Sequence, residues 1–273
     1  MFAVGDPRQA IMGFTGASHD ALDLIKEAFS CQRLPLSVCY RCSVAVVKHA
    51  KEIVPHIEAA PNAIKGSVSN NGLTIEEGLK AGTFQTTFGP QDAILCRNTS
   101  PLIELAYTLI AAKVGCRIAG KDIAEGLVKL VKAQKARGIE ALVTKLEAWR
   151  DAQVAKFTAK GEEERADAVS DRTACIFTVV RNMPLTKERT VPELIRQLES
   201  MFSDENGVLT LSTIHKSKGK EWPTVGIYRP ELMPSKWARQ KWQELQEQNL
   251  IYVARTRAKE RLVYLSDNTK KVP

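Results

Sequence analysis

Short apolar runs alternate with helical periodicities along most of this chain, and that alternation limits the fold more than any other feature. Asp92-Ala93-Ile94-Leu95-Cys96, Val208 to Ile214, Trp222 to Tyr228 and Arg261-Leu262-Val263-Tyr264-Leu265 each read as a strand. Helices are expected over Ala21 to Phe29, over residues 43–54 with Pro55 as the stop, from Pro101 to about Lys113, and over most of Trp237 to Ala258. Strands alternating with helices predict an α/β fold on a parallel sheet. Phe2-Ala3-Val4 reads as the tail of a further buried strand cut off by the start of the chain, which suggests a missing N-terminal part. Residues 61–90, rich in glycine and asparagine, read as turns with short strands.

From Lys121 to about Arg189 the composition shifts to Lys, Glu, Ala and Arg, with Ile139, Leu142, Val143, Leu146 and Trp149 forming a narrow helical stripe. This segment reads as a solvated helical subdomain inserted into the fold; a surface for DNA or a partner is the sharper alternative. Thr190-x-Pro192-Glu193 then resembles a capping box ahead of Leu194, Ile195, Leu198, Met201 and Phe202.

At 273 residues the chain fits one or two domains, and 44% hydrophobic with 26% charged residues excludes a disordered tail, a collagen-like chain and a coiled-coil rod. No apolar run approaches the roughly 18 residues of a membrane span. Gly5-Asp6-Pro7-Arg8 arrives too early for a signal peptide. The net charge of +8 permits a polyanionic partner. The six cysteines are irregularly spaced, which reads as a reduced, cytoplasmic protein. Cys39-x-x-Cys42 has no second pair to complete a zinc site, so it is assigned neither metal nor redox chemistry; no metal ligands are expected in this chain.

Five segments concentrate Gly, Arg, His, Thr and Gln at strand ends, where ligands bind in open α/β sheets. In Val4 to Ala17, the carboxylate and amide of Asp6 and Gln9 suit a water or a phosphate oxygen, and Phe14 between glycines suits a nucleobase. In Cys39-Tyr40-Arg41-Cys42-Ser43 an aromatic beside an arginine suits a purine and its phosphates. Arg97-Asn98-Thr99 follows a strand and suits a phosphodiester backbone. Leu209 to Trp222 packs Thr213, His215, Lys216, Lys218, Gly219 and Glu221 into one strand-to-loop passage, a candidate anion site. In Leu250 to Ala258 an arginine on a helix turn suits a transferring phosphoryl group.

In this order the segments resemble superfamily 1 DNA helicases of the UvrD/Rep/PcrA type. GDPRQAIMGFTGA resembles helicase motif III, CYRCS motif IV, AILCRNTSPL the motif IVa strand, LTLSTIHKSKGKEW motif V and NLIYVARTRAKERL motif VI. The resemblance implies a RecA-like parallel-sheet lobe with a helical inserted subdomain. Residues 1–30 would end a first lobe, 31–118 and 201–273 would form the second, and 119–200 would be a reduced insertion. It implies ATP as cofactor, with Mg²⁺ held by a first lobe. Gln9, Arg41 and Arg257 would serve the γ-phosphate, Tyr40 the adenine, Gly219 the phosphates and Glu221 the ribose. Phe14, Arg97, Asn98, Thr213 and His215 would contact single-stranded DNA.

The chain departs from the family pattern at Met12 and Thr15, where Tyr and Arg are frequent, at Cys39, where Asn is usual, and near Asn249, where Arg often makes an ion pair. The phosphate loop Gly-x-x-x-x-Gly-Lys-Ser/Thr and the acidic Walker B pair do not occur in it. The expectation is therefore the C-terminal part of an ATP-dependent helicase that translocates on single-stranded DNA and unwinds duplex junctions, inactive without its first RecA-like lobe. The alternatives are a non-catalytic DNA- or protein-binding module and a complementing subunit of a split helicase.

Overall fold

The computed structural model describes residues 2–12, 20–69, 74–184, 189–202 and 208–266. The chain divides into two compact units, Met1–Gly78 with Ser217–Pro273, and Leu79–Lys216. Each strand pairing within the two units is parallel, as the alternation of strands and helices predicts.

In the first unit, α1 (Ala21–Phe29) buries none of its side chains. β1 (Val38–Cys39) pairs with β2 (Glu58–Ala59). Between them lies α2 (Val44–Ala50), which buries Val46, Val47 and Ala50. Ser43 starts α2 by accepting a hydrogen bond from Val46 N, and its hydroxyl also donates to Glu260 O at 3.0 Å. β3 (Ser67–Ser69) runs beside β8 (Ala258–Leu265), which in turn pairs with β7 (Trp222–Tyr228). Gly66, just before β3, has φ +59, and a Cβ there would meet Ser43 Oγ at 2.1 Å and Glu260 O at 2.3 Å. Only glycine lets these backbones approach so closely. The long helix α11 (Lys241–Arg255) opens with a Gln240/Gln243 capping box and buries Asn249, Leu250, Tyr252, Val253 and Ala254.

The second unit is built on β4 (Ala93–Cys96), β5 (Cys116–Ile118) and β6 (Leu209–Thr213), in the order β4-β6-β5. Every residue of β4 and β6 is buried. Each large aliphatic side chain in these strands contributes about 1.5–3 kcal/mol through burial; the unbroken apolar run of β4 is that of a strand covered on both faces, whereas β6 alternates leucine with buried Thr and Ser. α5 (Ser100–Ala111) follows β4. Between β5 and β6 come α6 (Lys121–Ala133), α7 (Ile139–Thr158), α8 (Glu163–Asn182) and α9 (Val191–Met201). Helices α7 and α8 form a hairpin, α8 also packs on α5, and α6 packs on α9. Ile139, Leu142 and Leu146 of the sequence stripe are buried. Thr190 caps α9 by accepting from Glu193 N at 3.4 Å, as its sequence suggests.

Two expectations fail. Residues 2–4 form no strand, and Phe2 and Val4 are 87% and 71% exposed. A strand needs a neighbour to take its backbone hydrogen bonds, and none lies alongside among the described residues. Among their described residues, 61–90 hold one short strand, β3, and two short helices, α3 (Ile75–Lys80) and α4 (Thr83–Thr87). Thr74 and Glu77 cap α3 reciprocally, Glu77 N donating to Thr74 Oγ1 and Thr74 N to Glu77 Oε2, both at 3.1 Å. Of the glycines that suggested turns here, Gly66 precedes β3, Gly78 lies within α3 and Gly82 precedes α4, while Gly72 lies outside the described residues.

Candidate nucleotide site

Local turns in the first unit present its polar groups. Asp6 caps the 3₁₀ turn Pro7–Gln9 by accepting from Arg8 N at 2.9 Å, and its second oxygen accepts from Gln9 Nε2 at 2.8 Å. The turn is held from α11. Asn249, 1% exposed, donates through Nδ2 to Pro7 O at 3.1 Å and Ala10 O at 3.2 Å. An amide here thus satisfies two backbone carbonyls, where the family pattern led us to expect a weakened ion pair.

Tyr40 and Arg41 stand on the bend between β1 and α2. Tyr40 is 80% exposed, with its ring open to solvent. The Arg41 guanidinium pairs with Glu221, which also lies 3.7 Å from Lys259 Nζ. The hydrogen bond from Arg41, with the charges of Arg41 and Lys259, holds the Glu221 carboxyl below its usual range. Gly219, two residues before Glu221, has φ +85 and open space where a Cβ would sit. Backbone conformation, not crowding, favours glycine there.

Asp6, Gln9, Tyr40, Arg41, Glu221 and Tyr252, with Cys39 and His56, line one cavity of about 640 Å³. Four sequence-predicted residues, Gln9, Tyr40, Arg41 and Glu221, therefore share a single site. Tyr252 was not foreseen, because its position on a helix gives no sign of which way it faces.

Arg257 does not line this cavity. It is 1% exposed and donates from Nε to Val253 O at 3.1 Å, from NH1 to Lys220 O at 3.0 Å and from NH2 to Thr256 Oγ1 at 3.3 Å. Burial, then the charge of Arg41, lowers its pKa. Its guanidinium ties the end of α11 to the loop that carries Gly219 and Glu221.

In the second unit, Arg97 is mostly buried and donates to Asp167 Oδ2 of α8 at 2.9 Å. Its charge is thus met inside the unit and not displayed to a phosphate. Asn98 is half-buried beside it. One turn along α8, Asp171 accepts from Thr99 N at 2.9 Å and Ser100 N at 3.0 Å, capping α5. Burial pushes its carboxyl up, against those two amide bonds. Asp167 and Asp171 were missed by the sequence reading; their i, i+4 spacing in a charged helix was the available signal. Thr213 is buried and its hydroxyl accepts from Lys216 N at 3.3 Å at the start of the short helix α10 (Ile214–Ser217), while Lys216 Nζ meets Asp122 at 2.5 Å. His215 is half-buried. Phe14 lies outside the described residues.

Among the described residues no three His, Cys, Asp or Glu side chains gather as a metal site, and no helix is long and apolar enough to cross a membrane. Comparison with curated proteins returns no match. Residues 125–269 match the UvrD-like helicase C-terminal domain family. That match covers motifs V and VI and more than half the chain, and the parallel α/β fold agrees with a RecA-like lobe. The chain belongs to the UvrD-like helicase C-terminal domain family.

Proposed function

We propose that this chain is the second, RecA-like lobe of an ATP-dependent DNA helicase and supplies half of the nucleotide site. The observation that carries this reading is the convergence of Gln9, Tyr40, Arg41 and Glu221 on one cavity. The exposed Tyr40 ring suits stacking on adenine. Glu221, kept ionised, accepts from a ribose hydroxyl. Arg41 and Gln9 donate to phosphate oxygens, and Arg41 must leave Glu221 to do so. Arg257 acts as a positioning residue, holding the loop that presents Gly219 and Glu221. When bound, ATP would supply the energy for movement along DNA. The phosphate loop and Mg²⁺ ligands belong on a partner lobe, since this sequence has no Gly-x-x-x-x-Gly-Lys-Ser/Thr.

His215 and Asn98 are the candidates for single-stranded DNA, with Thr213 holding the helical turn that carries His215, and Arg97 tied to Asp167 beside Asn98. Contacts of this kind read phosphates and not sequence, so affinity should fall with salt.

ATP hydrolysis tests the reading. The chain is assayed with and without single-stranded DNA, alone and with a first RecA-like lobe bearing the phosphate loop. DNA-stimulated turnover only in the mixture, reduced by Arg41→Ala, is expected. No turnover in the mixture, with salt-sensitive DNA binding retained, would instead support a non-catalytic binding module.

A further inference from the structure

The segment Lys236-Trp237-Ala238-Arg239-Gln240-Lys241-Trp242 carries three cations, two of the chain's four tryptophans and no acidic residue. It follows the carboxyl end of β7, the end at which ligands bind in open α/β sheets. Glu221 of the nucleotide cavity stands before the other end of that strand, about 20 Å away along it. The backbone of the segment is pinned from α11. Ser235 N donates to Glu247 Oε2 at 2.8 Å, and Arg239 N and Gln240 N both donate to Gln243 Oε1, at 3.1 and 3.0 Å. Glu247 and Gln243 are 2% and 3% exposed, so the anchors lie in the core. Ser235 closes the turn, accepting from Ala238 N at 3.0 Å through its carbonyl and from Trp237 N at 3.3 Å through its hydroxyl.

The side chains face the other way. Lys236, Arg239 and Lys241 are exposed, and so is Trp242, at 41%. Trp242 donates from Nε1 to Gln240 Oε1 at 2.6 Å, a bond that lies at the ring edge and uses neither face. Lys236 Nζ lies 5.0 Å and the Arg239 guanidinium carbon 5.9 Å from the centre of the half-buried Trp237 ring, which thus gathers two cations. Among the described residues neither Lys236 nor Lys241 has a carboxylate partner. A fixed backbone therefore presents an open indole and unneutralised positive charge to water. We propose that Lys236–Trp242 is a binding site for single-stranded nucleic acid, separate from the nucleotide cavity. Trp242 stacks on an unpaired base, and Lys236, Arg239 and Lys241 meet the phosphates on either side of it. Trp237 is a positioning residue that holds Lys236 and Arg239 together. That the strand is DNA rests on the function proposed above; the site itself does not.

The full-length chain is titrated with fluorescein-labelled oligo(dT) over a series of salt concentrations and read by anisotropy. Trp242→Leu should weaken binding roughly tenfold without changing the salt dependence, and Trp242→Phe should recover most of the loss. Combining Lys236→Gln, Arg239→Gln and Lys241→Gln should flatten the slope of log affinity against log salt by about 2, three phosphates at about 0.7 each. Unchanged thermal midpoints show that the variants are folded. A strand carrying 5-iodouracil should photocrosslink to the tryptic peptide of residues 242–255 in the parent and not in Trp242→Leu, which separates Trp242 from Tyr252 of the same peptide. Full affinity in Trp242→Leu, an unchanged salt slope in the charge variant, or a blunt duplex bound as tightly as the single strand would each overturn the proposal. Asn98→Ala and His215→Ala separate it from the DNA contacts proposed for the second unit. Loss in those two variants alone overturns this site; loss in the Lys236–Trp242 variants alone supports it and counts against the other contacts.

Discussion

Replacing Arg257 with alanine should destabilise the first unit by about 3–5 kcal/mol, whatever it does to catalysis. The guanidinium makes three hydrogen bonds from a site 1% exposed. With a charged donor each is worth about 1.5–3 kcal/mol, for a gross loss of roughly 4.5–9 kcal/mol. Removing a buried charge recovers part of that, since the burial that lowers its pKa is itself a cost. The remainder is the loss of the tie between Lys220 O and the end of α11. Urea denaturation followed by tryptophan fluorescence suits the measurement, because Trp222, Trp237 and Trp242 lie in this unit and only Trp149 in the other. At a slope of about 2 kcal/mol per molar urea, the midpoint should fall by about 1.5–2.5 M. Arg257→Lys should fall between, because an ammonium cannot span all three acceptors. A midpoint for Arg257→Ala within about 0.3 M of the parent would refute the argument. The residue would then be free to act on phosphate alone, as the family resemblance implies.

Gly66→Ala should cost about 2–4 kcal/mol, from its left-handed φ and the collision with Ser43 and Glu260; thermal unfolding would show it. His49 contacts Tyr264 Oη at 2.6 Å through Nε2, and burial, then the charge of Arg255, lowers its pKa from 6.5. As pH falls below 6.5 the unfolded chain takes the proton first, so stability should drop through that range and His49→Gln should flatten the drop. A Tm series from pH 7.5 to 5.5, bounds set by the ordinary titration range of histidine at about 6.5, checks the sign. Asn249→Ala should release Pro7 O and Ala10 O, and limited trypsin digestion should then cut faster after Arg8. An unchanged cleavage rate would mean the turn is held by something else.

The strands and long helices were legible because burial writes itself into the sequence as periodicity. β4 is an unbroken apolar run, β6 alternates leucine with hydroxyl residues, and Thr190 announces the start of α9. Segments with neither signal misled. Phe2–Val4 is apolar yet pairs with no strand among the described residues, and α3 hides among glycines because its start depends on a reciprocal bond between Thr74 and Glu77. Gln9, Tyr40, Arg41 and Glu221 could be named from their motifs, and the cavity gathers them. What each side chain touches could not be named. Arg97 and Arg257 look alike in sequence, as arginines at the ends of regular elements. One is turned to a carboxylate of a distant helix, the other to the carbonyls of Val253 and Lys220, and neither reaches solvent freely.

By itself, then, the sequence determined the parallel α/β fold, the placement of its motifs and the chemical kinds of group available. Those follow from local propensity and from hydrophobic periodicity, which act over a few residues. The tertiary structure alone decided the partners: Asn249 against a turn at the other end of the chain, Asp171 against the start of α5, and Arg41 against Glu221. All three pairs join residues far apart in the chain. All three depend on which way a side chain faces, and that is fixed only when the elements pack.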